Sequence, residues 1–195
     1  MKKLYCFDFD GTLTYSDTMF LYLKFYNASK FRIQFIKHIP LFTLLKMKLL
    51  DAEKVKKSFI SSILKGQSKA KIEKKSQQFF EQYYPEIVRG NALDFIKNID
   101  HTHTDCYIVS ASLDIWVKPF ADQFKMNLVA TQAEFKNDIF TGNFVGNNCN
   151  GIEKVNRIKE IISGKKYDKT IAFGDTSGDK EMLDWANEGQ FKFFH

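Results

Sequence analysis

Cysteine is scarce in this 195-residue chain: Cys6, Cys106 and Cys149 are odd in number, widely spaced and form no CxxC pair. That pattern excludes a disulfide framework and a zinc site and leads to the expectation of a reducing compartment. Long apolar runs are lacking too. A membrane span needs ~20 apolar residues; the nearest stretch, "FRIQFIKHIPLFTLLKMKLL" at 31–50, carries Arg32, Lys37, Lys46 and Lys48. Such a segment can lie on a membrane without crossing it. The N-terminal apolar run, Leu4 to Phe7, stops at Asp8, too soon for the core of a signal peptide. A cytoplasmic protein is therefore expected, with a peripheral position at the inner face of the membrane as an extension of that expectation. Internal repeats and low-complexity tracts are absent.

What is present is ample core material: 44% of residues are hydrophobic and 15% aromatic, enough for one compact domain with a modest insertion. Charge is unevenly distributed. From Tyr15 to Val88 there are 14 Lys/Arg against 6 Asp/Glu, a balance of +8, whereas the remainder has 15 against 17, a balance of −2. The whole positive excess sits in one segment. Its natural partners are anionic, namely a phosphorylated substrate or a membrane surface, with nucleic acid the least expected of the anionic class; solvated helix faces are the plainer alternative.

Three apolar runs read as buried strands, "LYCF" at 4–7, "CYIV" at 106–109 and "TIAF" at 170–173, with helical patterns between them. This predicts an α/β fold, a doubly wound parallel sheet. Residues 15–88 show helical stretches and no strand, so they read as a helical insertion within a core formed by 1–14 and 89–195, with Pro40 marking a break and Pro85 the exit. The segment "NLVATQAEFKNDIFTGNF" suggests a hairpin flap turning at Asn137-Asp138. Each strand-like run ends in a polar motif: "DFDGT", "SAS" from Ser110, and "GDTSGD" from Gly174. Ligands of open parallel sheets bind at the carboxyl ends of the strands, so three such motifs argue for one shared site.

Asp8 and Asp10 would crowd like charges on one face of an extended chain unless a cation or reacting group lies between them. Mg²⁺ fits, since it takes oxygen ligands and is usually held by one or two carboxylates with waters and substrate phosphate. Asp8 and Asp175 are the expected direct ligands, and Asp179, four residues beyond Asp175, supports the metal directly or through water. Asp175 as a mere helix cap is the alternative. Ser110, with the following amide at Ala111, is placed to hold a phosphoryl oxygen, or is simply a turn residue. Lys154, early in a predicted helix where the dipole disfavours an ammonium, suits an anion; exposure to solvent is its plainer reading.

In this order the motifs resemble the haloacid dehalogenase superfamily of phosphohydrolases, and within it the phosphoserine phosphatase-like branch: "DFDGTLT" as the first motif, Ser110 the second, Lys154 the third, "GDTSGD" with Asp175 and Asp179 the fourth. The resemblance implies a core with an inserted helical cap over residues 15–88. It also implies that Asp8 is the nucleophile forming an aspartyl phosphate and that Asp10 is the general acid and base. Mg²⁺ would be held by Asp8, the backbone carbonyl of Asp10, Asp175 and Asp179, and phosphate by Ser110, Ala111, Lys154 and the amides around Phe9 to Gly11. Asp17 matches an acid that holds the substrate ammonium in phosphoserine phosphatases, whereas Gly178 replaces their usual Asn. The basic, Phe-rich cap and "CNGIEKV" look more like phosphatidylglycerophosphatase C-type lipid phosphatases. The expected function is thus Mg²⁺-dependent phosphomonoester hydrolysis, on a lipid phosphate such as phosphatidylglycerophosphate or on a soluble metabolite such as phosphoserine; a phosphotransferase is a further option. An inactive membrane-surface module would leave the acids without a reason. The cap stretch Phe31, Phe35, Ile39, Phe42, Leu45 and Leu49, at helical spacing among cations, reads as a face that docks on anionic membrane or, as the plainer alternative, as one buried within the cap or over the active site.

Overall fold

A computed structural model describes residues 2–195. Its centre is a six-stranded sheet in the order β4-β3-β2-β1-β5-β6. The three apolar runs read from sequence occupy the three adjacent central strands, β1 (Lys3–Phe7), β2 (Thr104–Leu113) and β5 (Lys169–Gly174), all mutually parallel. Both faces of these strands are covered, which is why they read as unbroken apolar runs. Leu4 and Cys6 pack with Val155, Ile158 and Met182 from α7 (Ile152–Ile161) and α8 (Lys180–Trp185) on one face. Phe7, Ile108 and Phe173 belong to the larger core on the other face. Beyond β5, β6 (Glu188–Phe191) adds a parallel edge strand that the polar sequence "EGQF" does not announce.

Of the five helices between β1 and β2, the first four form an insertion: α1 (Thr18–Tyr26), α2 (Ala28–Lys46), α3 (Ala52–Leu64) and α4 (Lys69–Tyr83). Asp17, Asn27, Asp51 and Ser68 cap their N-termini by accepting backbone N–H bonds. The predicted break at Pro40 is not found, because α2 runs through it. Pro40 faces solvent, where water can take the carbonyl that its missing N–H releases. The chain enters and leaves this insertion through an antiparallel bridge between Thr14 and Val88, with Tyr15 N donating to Ile87 O and Arg89 N to Leu13 O, both at 2.9 Å.

After α5 (Gly90–Lys97), β2 and α6 (Asp114–Gln123), strand β3 (Asn127–Lys136) turns at Asn137-Asp138, both with positive φ, into antiparallel β4 (Ile139–Val145). The hairpin is where the sequence put it, but it is no free flap. The first half of β3 joins β2 in the main sheet, and the tip is hydrogen-bonded to the loop between α3 and α4, where Gly66 N donates to Phe140 O and Phe140 N to Gln67 O, both 2.9 Å. No helix among the described residues is long and apolar enough to cross a membrane.

Candidate active site

The alternation that turns Leu4 and Cys6 toward α7 continues past the end of β1, so Asp8 meets the side chain of Lys154 on that helix. Lys154 is 1% exposed, and its Nζ donates to Asp8 Oδ1 and to Asp179 Oδ1, each at 2.6 Å. Burial works against this ammonium, but the two carboxylates outweigh it and hold its pKa above the ordinary lysine range. Asp8 is pushed up to about 7 by burial, with Lys154 pulling it back and Asp179 and Asp10 adding to the push. Asp179 is also desolvated, yet Lys154 and the amides of Thr176 and Asp175 keep it below the usual carboxylate range. The sequence readings in which Lys154 is solvated and Asp175 caps a helix are both displaced. Thr176 caps the turn Ser177–Asp179, in a reciprocal box with Asp179, which leaves the Asp175 carboxylate to face the site.

Asp8, Asp175 and Asp179 each place a carboxylate oxygen within 4.8 Å of the others. The hydroxyl of Thr12 sits between two of them, 2.8 Å from Asp8 Oδ2 and 3.1 Å from Asp175 Oδ1. Gly11 has φ +83°, and a Cβ there would stand 2.5 Å from Asp175 Oδ2, so only glycine lets the first loop approach the last this closely. With Asp10 included, four carboxylates meet one ammonium. An all-oxygen, net-negative donor set of this kind suits Mg²⁺. Asp8 and Asp175 would hold the ion, with Asp179 completing the group; Asp179 has one oxygen on Lys154 and the other accepting three bonds from Asp175 and Thr176.

Asp10 projects toward the insertion. Its Oδ1 accepts from Thr18 N (2.7 Å) and Thr18 Oγ1 (2.6 Å), and its Oδ2 from Ser112 Oγ (2.5 Å). Asp8, Asp10, Gly11, Ser112, Lys154 and Asp175 contribute to the wall of a cavity of about 510 Å³ beneath the insertion. Ala111, Asp17 and Asp179 line it as well. Ser110 does not: it is buried, and its Oγ accepts from Ser112 N at 3.0 Å, beneath the cavity wall. The Gly11 amide likewise turns inward to Thr14 Oγ1 at 3.2 Å, and Phe9 is wholly buried against Phe120.

Residues 6–184 match the model of the haloacid dehalogenase-like hydrolases. The chain belongs to this family. It is 33% identical over 195 residues to Protein CicA of Caulobacter vibrioides, covering 98% of this chain and 86% of that one. Among solved structures it is similar to a protein of unknown function from Bordetella pertussis Tohama I, with a TM-score of 0.83 and 20% identity over 95% of this chain and 87% of the other. It is also similar to a substrate-bound phosphoserine phosphatase complex, with a TM-score of 0.68 and 20% identity over 98% and 85%. At those identities the structural likeness is one of fold.

Three cavity residues of this family member were not legible from motif spacing. Lys56, on α3, reaches down so that its Nζ lies 2.5 Å from Ala111 O and 3.4 Å from Asn148 Oδ1. Burial lowers its pKa while Asp10 and Asp17 oppose that. Ser112 looks like a turn residue until its bond to Asp10 is seen. Asn150 lines the cavity and packs against Gly178, where a Cβ would stand 2.3 Å from Asn150 Oδ1, so the glycine leaves the amide side chain room.

Proposed function

We propose that this chain is a Mg²⁺-dependent phosphomonoester hydrolase that works through an aspartyl phosphate on Asp8, with residues 15–88 as a cap over a core of 1–14 and 89–195. The observation that supports it most directly is the buried Asp8–Lys154–Asp179 arrangement beside Asp175, at the floor of a cavity that also holds Asp10. Asp8, Asp175 and the backbone carbonyl of Asp10 would hold Mg²⁺, which would supply positive charge to the phosphoryl oxygens. Lys154 fixes the Asp8 carboxylate and offsets negative charge as it builds. Asp8 attacks phosphorus, the ester P–O bond breaks, and the protonated Asp10 carboxyl gives its proton to the departing oxygen. The resulting Asp10 carboxylate then takes a proton from water as that water attacks the aspartyl phosphate, which releases phosphate and restores Asp8. Thr18 and Ser112 hold Asp10 in line for both transfers.

Two features of the cavity bear on the substrate. Asp17 and Lys56 offer opposite charges, which suits a small zwitterion such as phosphoserine, the substrate class of the phosphoserine phosphatases that share this fold. Met19, Phe20, Phe42, Leu45 and Val55 supply an apolar wall, which suits a lipid phosphate. An acceptor alcohol in place of water would make the same site a phosphotransferase. The test is phosphate release from a panel of soluble and lipid phosphomonoesters, with trapping of phosphoprotein by acid quench. Asp8→Asn is expected to abolish both signals; turnover near wild type in that variant would refute the covalent route.

A further inference from the structure

A helix that is apolar all round is normally buried all round. α2 is apolar on two opposite sides but is covered by protein on only one. Its inner side carries Phe31, Phe35, Phe42 and Leu45. The rings of Phe31, Phe35 and Phe42 lie 5.7, 6.3 and 5.4 Å from that of Phe59, and Phe42 and Leu45 line the cavity. Most of the aromatic stripe expected to face a membrane is therefore packing inside the insertion. Only its Ile39 and Leu49 stand well clear of it.

The outer side is a second stripe. Ile33, Ile36, Pro40, Leu44 and Met47 recur at steps of 3, 4, 4 and 3 residues, the spacing of a single helix face, and Leu49 and Leu50 continue it past the end of α2. All of these are exposed, Ile36 by 67%, Met47 by 62% and Leu49 by 63%. Of the 15 large hydrophobic side chains exposed among the described residues, eight fall between Ile33 and Leu50. Arg32 and Lys37 lie on the two flanks of the stripe, and Lys46 and Lys48 near its end. Between Asp17 and Asp51 there is no acidic residue.

This charge pattern selects the partner. A symmetric pairing of two copies would set the same patch against itself, facing cations with cations and no acid between them. An anionic bilayer satisfies both demands, taking the apolar stripe into its acyl boundary and the flanking cations at its headgroups. We infer that the outer face of α2, with Leu49 and Leu50, docks on an anionic membrane surface and that the phosphomonoester is presented there on a lipid. The second half rests on the phosphatase reading above; the first does not. Only the thickness of α2 separates the docking face from the apolar wall of the cavity.

Co-sedimentation of the full chain with phosphatidylcholine vesicles, with and without phosphatidylglycerol, tests the docking. Binding is expected only with phosphatidylglycerol present and is expected to weaken with salt. Each cation near such a surface contributes about fivefold to partitioning, so Lys37→Glu with Lys46→Glu is expected to lower it by about 30-fold or more. Ile36→Ser with Met47→Ser is expected to lower it by about tenfold or more, from lost apolar burial. None of the four residues touches the cavity, so turnover of p-nitrophenyl phosphate is expected to stay at the wild-type level, while hydrolysis of a lipid phosphomonoester in those vesicles falls in step with binding. Docking is overturned if the wild type ignores phosphatidylglycerol vesicles at low salt, if both double variants bind as the wild type does, or if the wild type binds polyglutamate but not vesicles. Lipid presentation is overturned if vesicle-bound enzyme hydrolyses p-nitrophenyl phosphate but not the lipid. Binding with no hydrolysis of any phosphomonoester upholds docking and overturns the phosphatase reading instead.

Discussion

Lys154→Met isolates the charge balance of the site. The ammonium is buried and shared at 2.6 Å by Asp8 and Asp179, with Asp175 and Asp10 close by, so methionine keeps much of the volume and leaves the carboxylates without their cation. Removing one partner of a buried ion pair costs about 3–5 kcal/mol. In a chain of this size each kcal/mol lowers Tm by roughly 2–4 °C, so a fall of about 10 °C is expected at neutral pH in the presence of chelator. The sign of the pH dependence follows from Asp8. Its folded pKa of about 7 lies above its unfolded value, and without Lys154 pulling it down it rises further, so the variant takes up a proton at Asp8 as pH falls. The deficit relative to wild type should therefore be largest above pH 7 and shrink on acidification. Adding Asp179→Asn removes a second charge, and the double variant should recover part of the loss, with a coupling of about 1–3 kcal/mol. Thermal melts by circular dichroism measure all three. A loss below about 1 kcal/mol for Lys154→Met, or strict additivity with Asp179→Asn, would refute the reasoning.

Chelation of divalent metal is expected to stop turnover and Mg²⁺ to restore it, while Ca²⁺, with its larger and looser oxygen shell, does not; phosphate release in metal-buffered assays checks this. Asp10→Asn should slow turnover by about 10²–10⁴-fold while phosphoprotein accumulates during a single turnover, since protonation of the leaving group and activation of water both depend on it. Ser112→Ala should lower kcat by a smaller factor, about tenfold, because it releases one oxygen of Asp10; an unchanged kcat would remove Ser112 from the mechanism. Lys56→Ala should raise KM more than it lowers kcat for an anionic substrate, as expected of a cation that binds the part of the substrate that does not react.

Local signals carried the core of this fold far into the sequence. β1, β2 and β5 are covered on both faces, so burial is written into each as an apolar run, and the acids that follow inherit their direction from the strand. The same logic made Asp8, Asp175 and Lys154 legible. At the second motif β2 continues to Leu113, so the serine that lines the cavity is Ser112, two residues beyond Ser110. Residues whose role comes from tertiary approach left no local trace: Lys56 sits among other lysines on an amphipathic helix, and Asn150 matters because Gly178 leaves it room. Pro40 misled for the opposite reason, since a local rule that ends buried helices does not bind a helix whose proline faces water. α2 hides a second apolar stripe behind a first, and only packing tells which one is covered.

Asp10 is where the chemistry of the core depends on the placement of the insertion. Its Oδ1 is held by the first residue of α1, and Trp116 Nε1 on α6 donates to that same Thr18 Oγ1 at 3.2 Å, so the acid is aligned only while α1 is seated on α6. The stacking of Tyr22 on Trp116, with centroids 5.0 Å apart, seats it. α4 is fixed to α6 by the ring of Phe80 against Phe120, also at 5.0 Å, and the loop between α3 and α4 is hydrogen-bonded to the β3–β4 hairpin. A wholesale swing of the insertion would have to break all of these and would release Asp10 as well. α2 is attached differently: it packs on α1 and α3, and the side-chain bonds of Lys30 to Ile63 O and of His38 to Ser58 stay within the insertion. Displacing α2 thus breaks no hydrogen bond to the core and leaves Asp10 in line, yet it moves Phe42 and Leu45 out of the cavity wall. The part of the insertion that yields at least cost is therefore α2, whose outer face is apolar and exposed and is flanked by cations.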